Sequence, residues 1–318
     1  MKYYFITNPA AGKKDSCETL CAAINAVCGD RGVDYEIYKT TGVGDATRFV
    51  RETCDNESGE KTFFACGGDG TLSEVVGGAI GRGGVSVGLI PAGSGNDFVR
   101  NFSDKEKFFD IAAQLDGKTV TIDAIKCNDK YAINMVNIGF DCEVVKVMMR
   151  IKRSPLVPSG LAYIFGVVAT LIKKPGVIAD ISIDGGEWKS HDLLLTTIAN
   201  GCYCGGGFHS NPLAFLTDGK LDSLLVNNIP RRTFIGLVGS YKKGTHIVPK
   251  NASILTSQSV RTIDFRFPAK QSISIDGEVN DIEKELHFEV MRGALDFVVP
   301  AGCDFLKKEA FENREVHA

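Results

Sequence analysis

The first third of the chain alternates short apolar runs with segments that carry apolar residues at helical spacing. A turn rich in glycine or polar residues follows each apolar run. Repeated strand, turn and helix are typical of a parallel sheet covered by helices. We predict strands at 3–7, 33–40 and 61–66, helices at 15–28, 45–51 and 71–80, and a fourth strand–turn–helix unit at 85–98.

The rest of the chain shows a different pattern, in which apolar and polar residues alternate with a period of two. Phe265 and Phe267 flank a polar residue, as do Ile273 and Ile275. Such alternation with short turns predicts antiparallel strands arranged as a sandwich. Strands at 119–127 and 130–140 come first, and a helical region at 141–174 follows them. We place the boundary between the two domains near residue 120.

Composition narrows the class of protein only moderately. The chain has 318 residues, of which 44% are hydrophobic and 24% charged, and its net charge of −3 gives no overall signal for nucleic-acid binding. None of its ten cysteines forms a C-x-x-C pair, so we expect reduced thiols and a cytoplasmic protein. No signal peptide is evident, and the longest apolar run, 161–172, is too short to span a bilayer.

Three glycine-containing turns lie at predicted strand ends, at 8–13, 67–71 and 93–97. Such turns present backbone N–H groups and the positive end of a helix dipole, both of which favour phosphate. Lys13 adds a mobile cation, and Asp69 could hold Mg²⁺ or touch a reacting hydroxyl. The turns match neither the P-loop nor the usual dinucleotide-binding pattern.

These motifs resemble those of the bacterial diacylglycerol kinase-like lipid kinases. The resemblance is carried by NPAAGK (8–13), GGDGTLSEVV (67–76), IPAGSGNDFVR (90–100), NGCYCGGGF (200–208), LTDGKLD (216–222) and IDGEV (275–279). It implies an α/β nucleotide-binding domain with a parallel sheet, of the NAD kinase/diacylglycerol kinase type, over 1–120. A C-terminal antiparallel β-sandwich would occupy 121–294, residues from about 295 to 318 would return to the first domain, and the active site would lie in the cleft between the domains.

The resemblance also implies an ATP site. Its residues would be Asn8, Pro9, Ala10, Ala11, Gly12, Thr40, Gly68, Asp69, Gly70, Thr71, Leu72, Ser73, Glu74 and Ser94. Ser94 stands where a Thr is usual and keeps the hydroxyl. Ser73 stands where an Asn is usual and loses the amide.

The catalytic and metal-binding roles follow from the same resemblance. Glu278 matches the general base, which would take the proton of a lipid hydroxyl as that hydroxyl attacks the γ-phosphoryl group of Mg-ATP. Asp69 would hold the metal or orient the hydroxyl. Asp218, with the main-chain carbonyls of Phe215 and Lys220, matches a structural Mg²⁺ site. Asp123 would join a network of carboxylates and waters.

Several interpretations stay open from the sequence. Diacylglycerol is the first candidate substrate, presented at a membrane surface to a peripherally associated enzyme. An NAD kinase-like enzyme for a soluble substrate and a non-catalytic nucleotide-binding regulator are the alternatives, and a homodimer is left open. The basic-ended segments 161–172 and 231–244 each fit a core helix or a membrane-facing one.

Overall fold

The computed structural model describes residues 1–11, 16–93, 95–152, 176–282 and 284–306. The described chain divides into two compact units. The first consists of Met1–Asp123 together with Arg292–Leu306, and the second is Ala124–Met291. The second unit is therefore inserted into the sequence of the first.

The described residues form fifteen β-strands and six α-helices. The strands are β1 (Lys2–Thr7), β2 (Tyr35–Lys39), β3 (Lys61–Gly67), β4 (Val85–Pro91), β5 (Lys118–Cys127), β6 (Lys130–Ala132), β7 (Met135–Gly139), β8 (Val177–Ile183), β9 (Lys189–Ala199), β10 (Leu221–Asn227), β11 (Leu255–Val260), β12 (Thr262–Arg266), β13 (Gln271–Ile275), β14 (Glu278–Ile282) and β15 (Glu285–Val299). The α-helices are α1 (Ser16–Arg31), α2 (Asp45–Asn56), α3 (Asp69–Ala79), α4 (Ile111–Leu115), α5 (Phe140–Lys152) and α6 (Arg231–Lys243).

The first unit is built on a parallel sheet in the order β2-β1-β3-β4-β15. Every residue of β3 is buried, as expected for a central parallel strand covered on both faces. Phe5 and Phe64 stack with their ring centroids 5.1 Å apart. On β15, the fully buried Phe297 packs edge-on against Phe98 at 5.1 Å. Aromatic packing thus links the last strand to the rest of the unit.

The segment after β4 differs from the prediction. A full helix was expected there, but residues Phe98–Asn101 form a single 3₁₀ turn. The amide of Asn101 donates to the carbonyl of Phe98 at 2.9 Å, and such a local bond competes with helix continuation. The N–H groups of Asp97 and Phe98 also donate to the side chain of Asp69.

The second unit is a set of antiparallel strands. Strand β9 pairs with β7, β8 and β10, while β13 joins β7 to β14. A buried cluster that includes Ile138, Ile198, Ile263 and Phe288 fills its interior. The alternation around Phe265 therefore marks an antiparallel strand, as predicted, because its apolar positions face this core.

The predicted fold class is confirmed, with an α/β domain on a parallel sheet and an antiparallel β-sandwich. Within the described residues, no helix is long and apolar enough to cross a membrane. All ten cysteines are free thiols. The segment 161–172 lies outside the described residues, so its interpretation stays a prediction.

Candidate active site

The predicted nucleotide residues of the first unit gather at one edge of its parallel sheet. Asn8 follows β1, Thr40 follows β2, and Gly68 follows β3. The Thr40 N–H donates to the carbonyl of Thr7 at 2.9 Å, which holds two of these strand ends together. The carboxyl edge of an open parallel sheet is where ligands bind in this class of fold.

The glycines of this edge allow two turns to pack directly against each other. A Cβ on Gly93 would lie 2.5 Å from the Cα of Gly68, which is closer than real Cβ contacts. A Cβ on Gly67 would lie 2.2 Å from the hydroxyl oxygen of Thr71. The absence of a side chain on these glycines therefore serves, first of all, to let the two turns lie close together.

Asp69 lies beneath this junction at the first residue of α3. Its Oδ2 accepts from the N–H of Asp97 at 3.2 Å, and its Oδ1 accepts from the N–H of Phe98 at 3.3 Å. Burial is the largest cause that raises the pKa of Asp69 to about 6, and the charge of Asp97 adds to it. These two backbone donors pull the pKa the other way, but do not cancel the rise.

Asp97 is the residue at this edge to which the sequence interpretation assigned no role. Its carboxylate is close enough to Asp69 to oppose ionisation there, and it pairs with the Nε of Arg100 at 3.3 Å. The signal was present, because Asp97 ends the third glycine turn. Two neighbouring carboxylates that repel each other would be relieved by a divalent cation, which fits Mg²⁺ on a nucleotide.

The turn after β1 is held against the same edge. The side-chain amide of Asn8 donates its Nδ2–H to the Thr71 hydroxyl at 3.2 Å, and its side-chain Oδ1 accepts from the Ala10 N–H at 2.9 Å. The Ala11 N–H closes the turn on the Asn8 carbonyl at 3.0 Å. Pro9 and Ala10 are exposed. Asn8 thus positions an exposed loop beside α3.

The predicted residues further along α3 have different surroundings. Leu72 is fully buried, so its side chain belongs to the core. The carboxylate of Glu74 accepts from the N–H groups of Gly44 at 2.9 Å and Ala46 at 3.2 Å, at the start of α2. Ser73 is half-buried, as is Gly70. Gly12, Lys13 and Ser94 lie outside the described residues.

In the second unit, a tight hairpin presents Glu278. Asp276 and Gly277 have φ values of 45° and 88°, and they join β13 to β14 with Ile275 opposite Glu278. Two successive positive φ angles are typical of the type I′ turn that suits the twist of a hairpin. Glu278 is half-buried at the first position of β14.

Asp276 fixes this turn to a distant part of the chain. Its carboxylate accepts from the N–H groups of Ile133 at 2.8 Å, Asn134 at 3.0 Å and Met135 at 2.8 Å. Asn200 donates its side-chain amide to the Ile133 carbonyl at 3.0 Å, which supports the same loop. The turn that carries Glu278 is therefore held rigidly rather than placed as an exposed loop.

The predicted metal loop is a turn centred on Asp218 and Gly219. The Asp218 Oδ1 accepts from the N–H of Lys220 at 3.1 Å, and Gly219 has a φ of 72°. Among the described residues, no group of three His, Cys, Asp or Glu side chains could hold a metal. A donor set of the Asp218 carboxylate and the backbone carbonyls of Phe215 and Lys220 would suit a hard cation such as Mg²⁺, and this site stays a prediction.

Asp123 is a buried residue of β5, and it is the last residue of the first segment of the first unit. Its Oδ1 accepts from the N–H of Gly293 at 2.8 Å. Gly293 has a φ of 57°, a backbone angle that glycine adopts without strain. This bond joins the two segments of the first unit, and the predicted network of carboxylates and waters stays a prediction.

Comparison with known proteins shows the family to which both units of the chain correspond. Residues 2–127 match the diacylglycerol kinase catalytic domain, and residues 134–299 match the YegS C-terminal NAD kinase beta sandwich-like domain. A Pseudomonas aeruginosa protein named "Probable lipid kinase YegS-like" is 30% identical over 95% of this chain and 96% of its own length. The chain belongs to the YegS-like family.

Other members of the YegS-like family agree over similar spans. "Probable lipid kinase YegS" of Salmonella arizonae is 30% identical, over 93% of this chain and 96% of its own. A crystal structure of a diacylglycerol kinase from Bacillus anthracis str. Sterne has a TM-score of 0.71 and 20% identity, and it covers 94% of this chain and 97% of that one. That likeness shows the shared fold, and membership of the family supports a kinase.

Proposed function

We propose that the chain is an ATP-dependent lipid kinase that transfers the γ-phosphoryl group of Mg-ATP to a lipid hydroxyl, with diacylglycerol as the first candidate and phosphatidic acid as its product. The observation that carries the proposal is the carboxylate of Asp69 beneath the glycine turns. In a chain of this family, it stands at the edge of the sheet where a nucleotide is expected.

In this proposal the first unit binds the nucleotide. The turns after β1, β3 and β4 offer N–H groups to phosphate oxygens. Mg²⁺ would supply positive charge that offsets the charge of the phosphates. Asp69 and Asp97 would hold it, because two adjacent carboxylates are hard oxygen donors whose repulsion a cation relieves.

Glu278 supplies the base in the proposed reaction. Its carboxylate accepts the proton of the lipid hydroxyl while that oxygen bonds to the γ-phosphorus. The bond from this phosphorus to the bridging oxygen breaks, and ADP leaves. Such transfer depends mainly on positioning and electrostatics, so the fixation of the Glu278 turn by Asp276 is the feature that supports this role.

The test is a turnover screen on the purified chain with Mg-ATP. Diacylglycerol, other lipid alcohols and NAD are offered separately, and the phosphorylated product is identified by mass. We expect a phosphorylated lipid and no NADP. NADP without phosphorylated lipid would move the chain to a soluble-substrate kinase, and nucleotide binding without any turnover would favour a regulator.

A further inference from the structure

Positive charge is concentrated in one stretch of the second unit. Between Asp222 and Asp264 the sequence has no Asp or Glu, although the whole chain carries a net charge of −3. The stretch holds six basic residues, namely Arg231, Arg232, Lys242, Lys243, Lys250 and Arg261. Four of the six belong to α6. A local excess of positive charge in a weakly acidic protein favours a partner of the opposite sign.

Helix α6 turns its apolar side to the protein interior. Phe234 and Tyr241 are buried in a cluster that includes Phe140 and Leu224. The Tyr241 hydroxyl donates to the Oδ2 of Asp141 at 2.9 Å. The position of the helix is thus fixed by its inner face, and the sequence alternative of a core-packed helix holds for that face.

The outer face of α6 is cationic and exposed. It comprises Arg232, Ile235, Gly236, Gly239 and Lys243, which recur at spacings of three and four residues on one side of the helix. Ile235 is 59% exposed. A Cβ added at either glycine would meet no atom within 4 Å. The face is therefore flat at its centre, with cations at both ends and one protruding aliphatic side chain.

In the part of the chain that the structure describes, no acid forms an ion pair with the two cations of this face, Arg232 and Lys243. Other exposed basic residues do form ion pairs, such as Arg48 with Glu52 and Arg82 with Asp55. Cations grouped on one face without acidic neighbours are suited to a dense array of phosphates.

We propose that the outer face of α6 docks on the surface of an anionic phospholipid bilayer. The basic side chains would reach headgroup phosphates on their flexible stems, and Ile235 would enter the interface between them. The apolar face of α6 is used by the core, so attachment is mainly electrostatic and shallow. The proposed function supplies the reason for docking, but binding itself requires no turnover.

A vesicle sedimentation assay on the full chain tests this surface. The wild type should bind vesicles of phosphatidylcholine that contain phosphatidylglycerol, and high salt should abolish this binding. It should not bind vesicles of pure phosphatidylcholine. Arg232→Glu combined with Lys243→Glu should weaken binding by at least about 10-fold. The two changes have opposite effects on the helix dipole, which limits their effect on folding.

Matched variants separate the face from general charge. Lys105→Glu with Lys189→Glu makes the same change in net charge at exposed sites elsewhere and should leave binding within about 3-fold, because the attraction is local. Ile235→Gln should weaken binding, whereas Ile178→Gln, at a residue 58% exposed, should not. If the reversed pair fails to fold, Arg232→Gln with Lys243→Gln replaces it.

Activity on lipid dispersed in neutral detergent keeps this inference apart from the kinase proposal. The reversed pair should retain that activity and lose only vesicle binding. Equal vesicle binding by wild type and reversed pair would overturn the docking surface, whatever the turnover. Wild-type binding to duplex DNA without binding to anionic vesicles would overturn it too.

Discussion

At the scale of the residue, the carboxyl of Asp69 is costly to ionise because it is partly buried and lies near the charge of Asp97. A carboxyl with a raised pKa stabilises the fold while protonated, and this contribution is lost as the pH rises through about 6. The residue is thus kept at a cost to stability, as is common for functional carboxylates.

Asp69→Asn should therefore stabilise the metal-free chain at pH 8 and not at pH 4. The shift from 3.8 to about 6 corresponds to roughly 1 to 3 kcal/mol of unfolding free energy once solvent screening is allowed for. Urea unfolding at both pH values measures it, and turnover should be lost. A variant less stable than wild type at pH 8 would contradict this account.

Glu278→Gln tests the proposed base. Glutamine keeps the size of the side chain but cannot accept the proton, so kcat should fall on the order of 10²- to 10⁴-fold. The affinity for ATP should stay near that of the wild type. Glu285→Gln, the same change at an exposed residue of the same unit, is the control. Near-normal turnover of Glu278→Gln would direct the search for the base to Asp69.

At the scale of the element, the hairpin between β13 and β14 depends on one side chain. Asp276→Ala leaves three backbone donors without their acceptor and should cost at least about 3 kcal/mol of stability. Asp276→Asn keeps one oxygen and tolerates the positive φ, so it should cost less. Chemical denaturation of both variants gives the comparison, and equal losses would show that the carboxylate contacts are not decisive.

The Asp218 turn makes a separate prediction about Mg²⁺. If this turn holds the cation, Mg²⁺ should raise the Tm of the wild type relative to a sample in EDTA, because a ligand that binds the folded state stabilises it. Asp218→Ala should make the rise smaller than in the wild type. A shift of equal size in the variant would place the effect of Mg²⁺ at another site.

Local patterns predicted most of these elements, and long-range contacts account for the rest. The alternation around Phe265 reports its own strand, so the sandwich could be read from the sequence. The anchoring of Asp276 could not be predicted from the sequence. Its carboxylate oxygens accept hydrogen bonds from the N–H groups of residues 133–135, which lie far away along the chain. The contact of Asp69 with the N–H groups of Asp97 and Phe98 was likewise absent from the local pattern, because these residues lie about 30 positions further along the chain.

At the scale of the whole molecule, the first unit is completed by the segment after Met291. Ending the chain at residue 291 removes the strand that pairs with β4 and takes away the buried Leu295, Phe297 and Val299. We expect such a chain to lose ATP binding and to expose apolar surface that binds a hydrophobic dye. In the chain of full length, the point variant Phe297→Ala should lower the free energy of unfolding by about 3 to 5 kcal/mol. A truncated chain that still binds ATP would show that the first unit is complete without this strand.

The position of β15 also sets an order of events during synthesis. The edge of β4 leaves the ribosome with residue 91, whereas its partner residues Asp296 and Phe297 are made about 200 residues later. At ordinary rates of translation the interval is about 10 to 40 s. Over that time most of the second unit emerges and can fold, while the parallel sheet of the first unit has an open edge. The nascent first unit is therefore a part of the chain that chaperones would need to protect.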